Sequence, residues 1–213
     1  MADITTDELL QTDTAHFNTN SLQFVGLRGD PDKHLSRDQL IAGLTALPPA
    51  PRDQGQVALL LARGPDGQRT LPESARLTVV GGMPGDRWAD SERYGPVYQL
   101  ATTRIDIARL VANGQPLELH GDNLFLDLDL STDNLPIGSR VRAGEALLEV
   151  TPKAHNGCKK WAQRFGLDAL KLNMSPDYRP THLRGIYFQV VEDGLVRIGD
   201  AVTVVHRAPA AAD

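Results

Sequence analysis

In the stretch LFLDLDL (124–130) four leucines occupy every second position, with Phe125, Asp127 and Asp129 between them. Side chains switch faces at each residue only in an extended strand. Period two therefore predicts a half-buried β-strand with its acids outward. Further short strands are predicted at QVALLLAR (56–63), ARLTVVGG (75–82), PVYQLATT (96–103), 145–151, RGIYFQVV (184–191), LVRI (195–198) and AVTVVH (201–206). Turn clusters such as GPDGQ (64–68) separate them, and Glu-Asp-Gly at 192–194 signals a hairpin.

Helical spacing is confined to short segments. Ser36 is placed to cap RDQLIAGLTAL (37–47), which PPAP (48–51) stops. RIDIARLVANG (104–114) ends in Asn-Gly, a stop signal. KKWAQRFG (159–166) is one or two turns closed by Gly166, and LDALKLNM (167–174) follows as another helix. About eight or nine strands with three or four helices, and no βαβ alternation, exclude a doubly wound parallel sheet. The expected fold class is mostly β: a β-barrel with short inserted α-helices.

The 213 residues suit one domain with extensions, and 41% hydrophobic with 23% charged residues is globular composition. No apolar stretch approaches the roughly 20 residues that span a bilayer. The acidic start MADITTDELLQTD is unlike a signal peptide. One cysteine cannot form an internal disulfide, so a reducing, cytoplasmic location is expected, with no membrane partner. The net charge of −5 argues against nucleic acid as a partner. That charge is uneven: residues 1–139 carry 11 Lys/Arg against 19 Asp/Glu, and residues 140–207 carry 11 against 7. Lys153, Lys159, Lys160 and Lys171, four of the five lysines, surround the single cysteine, Cys158. This is either a solvated surface or a local site for an anion.

A lone cysteine is usually inert filler in an apolar run. Cys158 instead stands in His155-Asn-Gly-Cys-Lys-Lys160, just before a predicted helix. Free N–H groups and the dipole at a helix start, with Lys159, Lys160 and His155 nearby, favour thiolate over thiol. His155 and Cys158 have zinc-like spacing without a second pair, so structural zinc is disfavoured. A Cys–His hydrolase would need one of His34, His120 or His182 near in space, and nothing in the sequence chooses among them. GGMPGD (81–86) lacks the Gly-Lys-Ser/Thr ending of a nucleotide loop. Trp161 is expected to pack inward under its helix.

Four elements occur in order: GMPGDRW (82–88), GDNLFLDLDLSTDNLPIGSRVRAGEALLEVT (121–151), HNGCKKWAQRFG (155–166) and LRGIYFQVVEDGLVRIGDAVTV (183–204). Together they resemble the MOSC domain, shared by molybdenum cofactor sulfurase C-terminal regions and amidoxime-type reductases, and most closely its stand-alone bacterial members. The resemblance implies a MOSC-type β-barrel over residues 51–206. Residues 1–50 would then be an N-terminal extension with one helix, packed on the barrel or loose, and 207–213 a disordered tail.

It also implies the molybdenum cofactor (molybdopterin), with Cys158 as metal ligand or sulfur carrier and, with His155, the catalytic residue. Gly85, Asp86, Arg87, Asn123, Lys159, Lys160 and Arg184 would bind the cofactor, and a pterin phosphate would account for the positive charge. Many relatives have Gly-Glu-Asn where this chain has Gly121-Asp122-Asn123, so Asp122 is expected to reach less far into the site. No pyridoxal-phosphate-dependent domain is attached, so pyridoxal phosphate is not expected. The implied function is reduction of an N-hydroxylated small-molecule substrate with a separate redox partner. The alternative is a carrier that passes sulfur or cofactor to a partner protein.

Overall fold

A computed structural model describes residues 27–91 and 94–209 of the chain. The elements in order are α1 (Arg37–Ala46), β1 (Gln54–Leu60), β2 (Ala62–Arg63), β3 (Arg69–Thr70), β4 (Ser74–Leu77) and β5 (Leu100–Arg104). Then come α2 (Ile105–Ala112), β6 (Leu124–Asp127), β7 (Arg140–Ala143), β8 (Ala146–Val150), α3 (Lys159–Phe165) and α4 (Leu167–Met174). The chain closes with β9 (Ile186–Glu192), β10 (Gly194–Arg197) and β11 (Ala201–His206).

Seven strands form a closed barrel in the order β1-β11-β7-β8-β9-β5-β6. Its pairs are antiparallel except β5 with β6, which α2 connects as a crossover. The leucine alternation is the reason for β6. Leu124, Leu126, Leu128 and Leu130 are buried in the barrel core, and Asp127 and Asp129 are partly exposed. Phe125 on the other face is buried too, because α2 covers it through Ile105 and Ala108. Similar alternation in β9 buries Ile186, Phe188 and Val190 and turns Tyr187 to the outer face.

A second core lies outside the barrel, where Leu40 of α1, Ile107 and Val111 of α2, Trp161 and Phe165 of α3, and Leu172 of α4 meet. Trp161 packs inward. α1 starts with a capping box: Ser36 Oγ accepts from Gln39 N, and Gln39 Oε1 accepts from Ser36 N. The extension helix is thus docked on the other helices. Asn113 ends α2 in the left-handed region at φ 47°.

Four local expectations differ from the structure. Pro96–Tyr98 forms a 3-10 turn, and the strand begins only at Leu100, because Gln99 N donates back to Pro96 O. β4 stops at Leu77, and Thr78 and Gly82 close a turn across Val79 and Val80. No hairpin joins β9 to β10: β9 pairs with β8 and β5, and β10 pairs with β4. At Gly194 the chain passes so close to β8 that an added Cβ would lie 2.2 Å from Ala146 N, a crossing only glycine allows. The start of the expected tail is tied down, since Arg207 binds Asp53 and Asn134 and Ala208 N donates to Ser139 Oγ. The predicted loose N-terminus (residues 1–20) and residues 210–213 lie outside the described residues.

Candidate functional site

The site forms where three connections meet: the loop after β4, the crossover entering β6, and the segment from α3 to β9. Thr102 of β5 pairs with Leu124 of β6 on one side and Ile186 of β9 on the other. Asp122 and Arg184, each two residues ahead of those partners, reach each other over β5. Arg184 Nη1 donates to Asp122 Oδ2 at 2.5 Å, and both side chains are buried. Arg184 Nη2 also donates to His120 O, its backbone N–H donates to Asn173 Oδ1, and its guanidinium lies 5.4 Å over the Trp161 ring. Gly185 makes the approach feasible: at φ +102°, an added Cβ would sit 1.8 Å from Thr102 O.

His155 closes this cluster from above. Its side chain is 4% exposed, packs tilted against the Tyr187 ring with centroids 4.4 Å apart, and brings Nε2 to 3.4 Å from Asp122 Oδ1. Burial drives its pKa well below the usual histidine range, and the charges of Arg184 and Arg63 push the same way. The ring is therefore neutral at neutral pH, and its contact with Asp122 is an approach between a neutral imidazole and a carboxylate. Burial pushes the Asp122 carboxyl up, opposed by the charge and hydrogen bond of Arg184. His155 Nδ1, Asp122 Oδ1 and Arg184 Nε are buried without hydrogen-bond partners.

Asp86 and Asn123 stand differently. Arg63 grips Asp86 with two parallel bonds, Nε to Oδ2 at 2.8 Å and Nη2 to Oδ1 at 2.9 Å. The backbone N–H groups of Arg63 and Trp88 add two more. Asn123 donates to Asp86 Oδ2 and Leu61 O, and accepts from Arg63 Nη2 and Ala101 N. Burial raises the Asp86 carboxyl, but the Arg63 bonds and charge outweigh it and hold the pKa below the usual range. Both side chains are buried and fully engaged with protein groups, so they fix the loop rather than offer free donors. Gly85 lies at φ +72°, which lets the turn present Asp86 inward, and Arg87 is exposed.

Cys158 is the N-cap residue of α3; it is exposed and makes no side-chain capping bond. Lys159 and Lys160 are exposed beside it. Arg164, six residues further on, is close enough to Cys158 for the two to interact electrostatically. Of the histidines open as cysteine partners, His120 is buried with Nε2 2.9 Å from Ala108 O and stacks on Phe165. Burial and Arg184 lower its pKa to about 3. Nδ1 of His182 lies 2.8 Å from Leu130 O. Both rings serve the scaffold.

Three arginines that sequence reasoning passed over complete the electrostatics. Arg69 is depressed to about 10, by burial first and then by repulsion from Arg164, Arg87 and Arg63. Arg164 is lowered by burial, with Arg184 and Arg87 adding to it and Cys158 opposing. Arg63, Arg69, Arg87, Arg164 and Arg184 thus form one field, set against the buried carboxylates Asp86 and Asp122. The available signal was Arg63 itself, a charge closing the apolar run VALLLA, which implies a buried partner. Asp122, expected to reach less far, forms the floor of the site.

A closed seven-stranded barrel with an exposed cysteine at the N-cap position of a short outer helix, three residues from a histidine that contacts a buried Asp–Arg pair, defines the class of protein. The MOSC domain model matches residues 85–203, and the chain belongs to the MOSC domain family. Among solved structures, the fold is similar to that of the YuaD protein from Bacillus subtilis, at 19% identity and TM-score 0.52, covering 73% of this chain and 97% of that one. It is also similar to YiiM from Geobacillus stearothermophilus, at 18% identity and TM-score 0.52, covering 72% and 76%. A hypothetical protein of known structure aligns at 23% identity and TM-score 0.54, covering 74% and 70%. These likenesses are of fold. No curated protein matches the chain. No helix among the described residues is long and apolar enough to cross a membrane.

Proposed function

We propose that the chain binds a molybdenum cofactor through Cys158 and reduces N-hydroxylated compounds, with electrons supplied by a separate redox partner. One observation supports this reading: the single thiol is exposed, three residues from His155 of the buried polar cluster and within electrostatic reach of Arg164 in a field of five arginines. Among the described residues, no three His, Cys, Asp or Glu side chains gather to hold a metal ion. A metal that arrives with its own sulfur ligands needs only one protein donor, and a thiolate is a soft donor suited to it. Arg184 Nε, buried and unpartnered, gives an anionic cofactor a hydrogen-bond donor, and the arginine field offsets its charge. The residues present therefore fit such a group.

When bound, the cofactor would supply a redox-active metal able to take the oxygen atom from the substrate. Removal of that oxygen as water consumes two electrons and two protons. The chain's part is to anchor the cofactor at Cys158, balance its charge, and keep His155 neutral beside Asp122. A neutral imidazole retains one N–H at the site. The test is turnover of an amidoxime and a hydroxylamine, with a chemical reductant, by protein made in cells that synthesise the cofactor. Wild type should consume both, and Cys158→Ala should be inactive.

The exposure of Cys158 favours a second reading, in which the sulfur carries a persulfide or holds cofactor for transfer to a partner protein. That reading expects labile sulfur on Cys158, or release of cofactor to an acceptor, without turnover of N-hydroxylated compounds.

A further inference from the structure

Asparagine followed by glycine occurs twice in the chain, at Asn113-Gly114 and Asn156-Gly157. Such a pair is chemically labile, because no Cβ on the second residue shields its backbone nitrogen from the asparagine side chain. That nitrogen attacks the side-chain carbonyl: a bond forms between it and Cγ, the Cγ–Nδ2 bond breaks, and the amide nitrogen leaves as ammonia. Water then opens the resulting succinimide at either carbonyl, giving aspartate or isoaspartate. No oxidant or reductant takes part. The fold decides which pair reacts, since closing the ring requires the glycine nitrogen to swing to the same side of the asparagine Cα as its Cβ.

Asn113 is held out of reaction. It ends α2 at φ 47° and ψ 49°, with its backbone N–H donating to Arg109 O and Leu110 O. At that ψ the Gly114 nitrogen lies on the far side of Cα from the side chain, so ring closure must undo the cap. The side-chain amide is tied as well, donating to Lys33 O at 3.1 Å.

Asn156 has none of these restraints. It lies outside any helix or strand, is exposed, and makes no side-chain hydrogen bond among the described residues. Gly157 is fitted to its place by packing: an added Cβ would stand 2.3 Å from Leu170 Cδ1 of α4 and 3.3 Å from Trp161 Cε3 of α3. The glycine that suits this contact is also the one that exposes Asn156 to attack. On either side stand groups of the candidate site, His155 immediately before and Cys158 two residues after, at the N-cap of α3.

We propose that Asn156 is a spontaneous deamidation site of the folded protein, and that its conversion changes the charge of the loop that carries Cys158. The new carboxylate places a negative charge two residues from the thiol. Isoaspartate also routes the main chain through the former side chain, which lengthens the path between His155 and Cys158. The reaction needs neither metal nor cofactor, so it stands apart from the proposed binding at Cys158.

The test incubates full-length wild type at mildly alkaline pH, folded and in urea, and follows aspartate and isoaspartate at positions 113 and 156 by peptide mass spectrometry. In the folded protein Asn156 should convert at least about tenfold faster than Asn113, the scale of one hydrogen bond with one helix cap. In urea the two should convert at similar rates, because the cap is gone. Asn156→Asp, which reproduces one product, should slow alkylation of Cys158 by iodoacetate about two- to threefold at low salt, the scale of one charge roughly 7 Å away in water across two extended residues. Alkylation by uncharged iodoacetamide should be unchanged. Folded protein in which Asn113 converts as fast as Asn156, or in which neither converts, would overturn the site. An unchanged iodoacetate rate in Asn156→Asp would overturn its effect on the thiol. Neither readout involves the cofactor, so both hold or fail independently of the proposed function.

Discussion

Asp122 and Arg184, 62 residues apart in the chain, meet as a buried ion pair at 2.5 Å directly beneath His155. Neither charge has water to fall back on. Removing one leaves the other uncompensated, at a cost of about 3–5 kcal/mol. Asp122→Asn and Arg184→Met should each lower stability on that scale in urea unfolding. The double variant should recover part of the loss, because with both charges removed neither is left stranded. A single-variant cost within 1 kcal/mol of zero would show that the pair is not buried as described.

The network of Arg63, Asp86 and Asn123 makes a separate claim. Asn123→Ala strips partners from Leu61 O, Ala101 N, Asp86 and Arg63 at once. With each buried orphan costing about 1–3 kcal/mol, the expected loss is at least about 3 kcal/mol. It should appear as a lower denaturant midpoint even in protein never exposed to cofactor. A variant that is fully stable but inactive would instead place Asn123 in direct contact with ligand.

Acid sensitivity follows from the histidines. His120, His155 and His182 all have folded pKa values below the ordinary 6.5. The unfolded chain therefore binds more protons than the folded one below that pH, and stability falls as pH falls from about 6.5 toward the folded values. For His120 the window reaches down to about 3. Each such histidine adds about 1.4 kcal/mol of loss per pH unit inside its window. Unfolding measured at pH 7.5, 6 and 5 should show a steep decline. His120→Phe should lower that slope by nearly one proton, whatever it does to stability at pH 7.5.

Two glycines offer a contrast. Gly85 has φ +72° with open space around it, so Gly85→Ala should cost about 1–2 kcal/mol from backbone strain alone. Gly185 combines φ +102° with a clash against Thr102 O, and Gly185→Ala should prevent folding of the barrel. Solubility of the two variants on expression is a sufficient measurement.

The parts of the fold legible in the sequence are those set by local physics. Leucine alternation placed β6, Ser36 marked the start of α1, Asn113 marked the end of α2, and the polar context of Cys158 put it at a helix start. The motifs Gly-Asp-Arg, Gly-Asp-Asn and Arg-Gly-Ile could be found by their order along the chain. How they divide the work could not. Asp86 and Asn123 became a closed network only through Arg63, which lies 23 and 60 residues away from them. Arg69 and Arg164 had no local pattern to mark them, and the Glu-Asp-Gly turn suggested a hairpin because β4, the true partner of β10, lies far back in the chain.

The central claim is that Cys158 holds a molybdenum cofactor. Its most direct test is the molybdenum and pterin content per chain of wild type and Cys158→Ala, both purified from cells that make the cofactor. Wild type should carry close to one of each, and the variant should lose most of its molybdenum. Equal metal in the two proteins, or none in either, would contradict the claim.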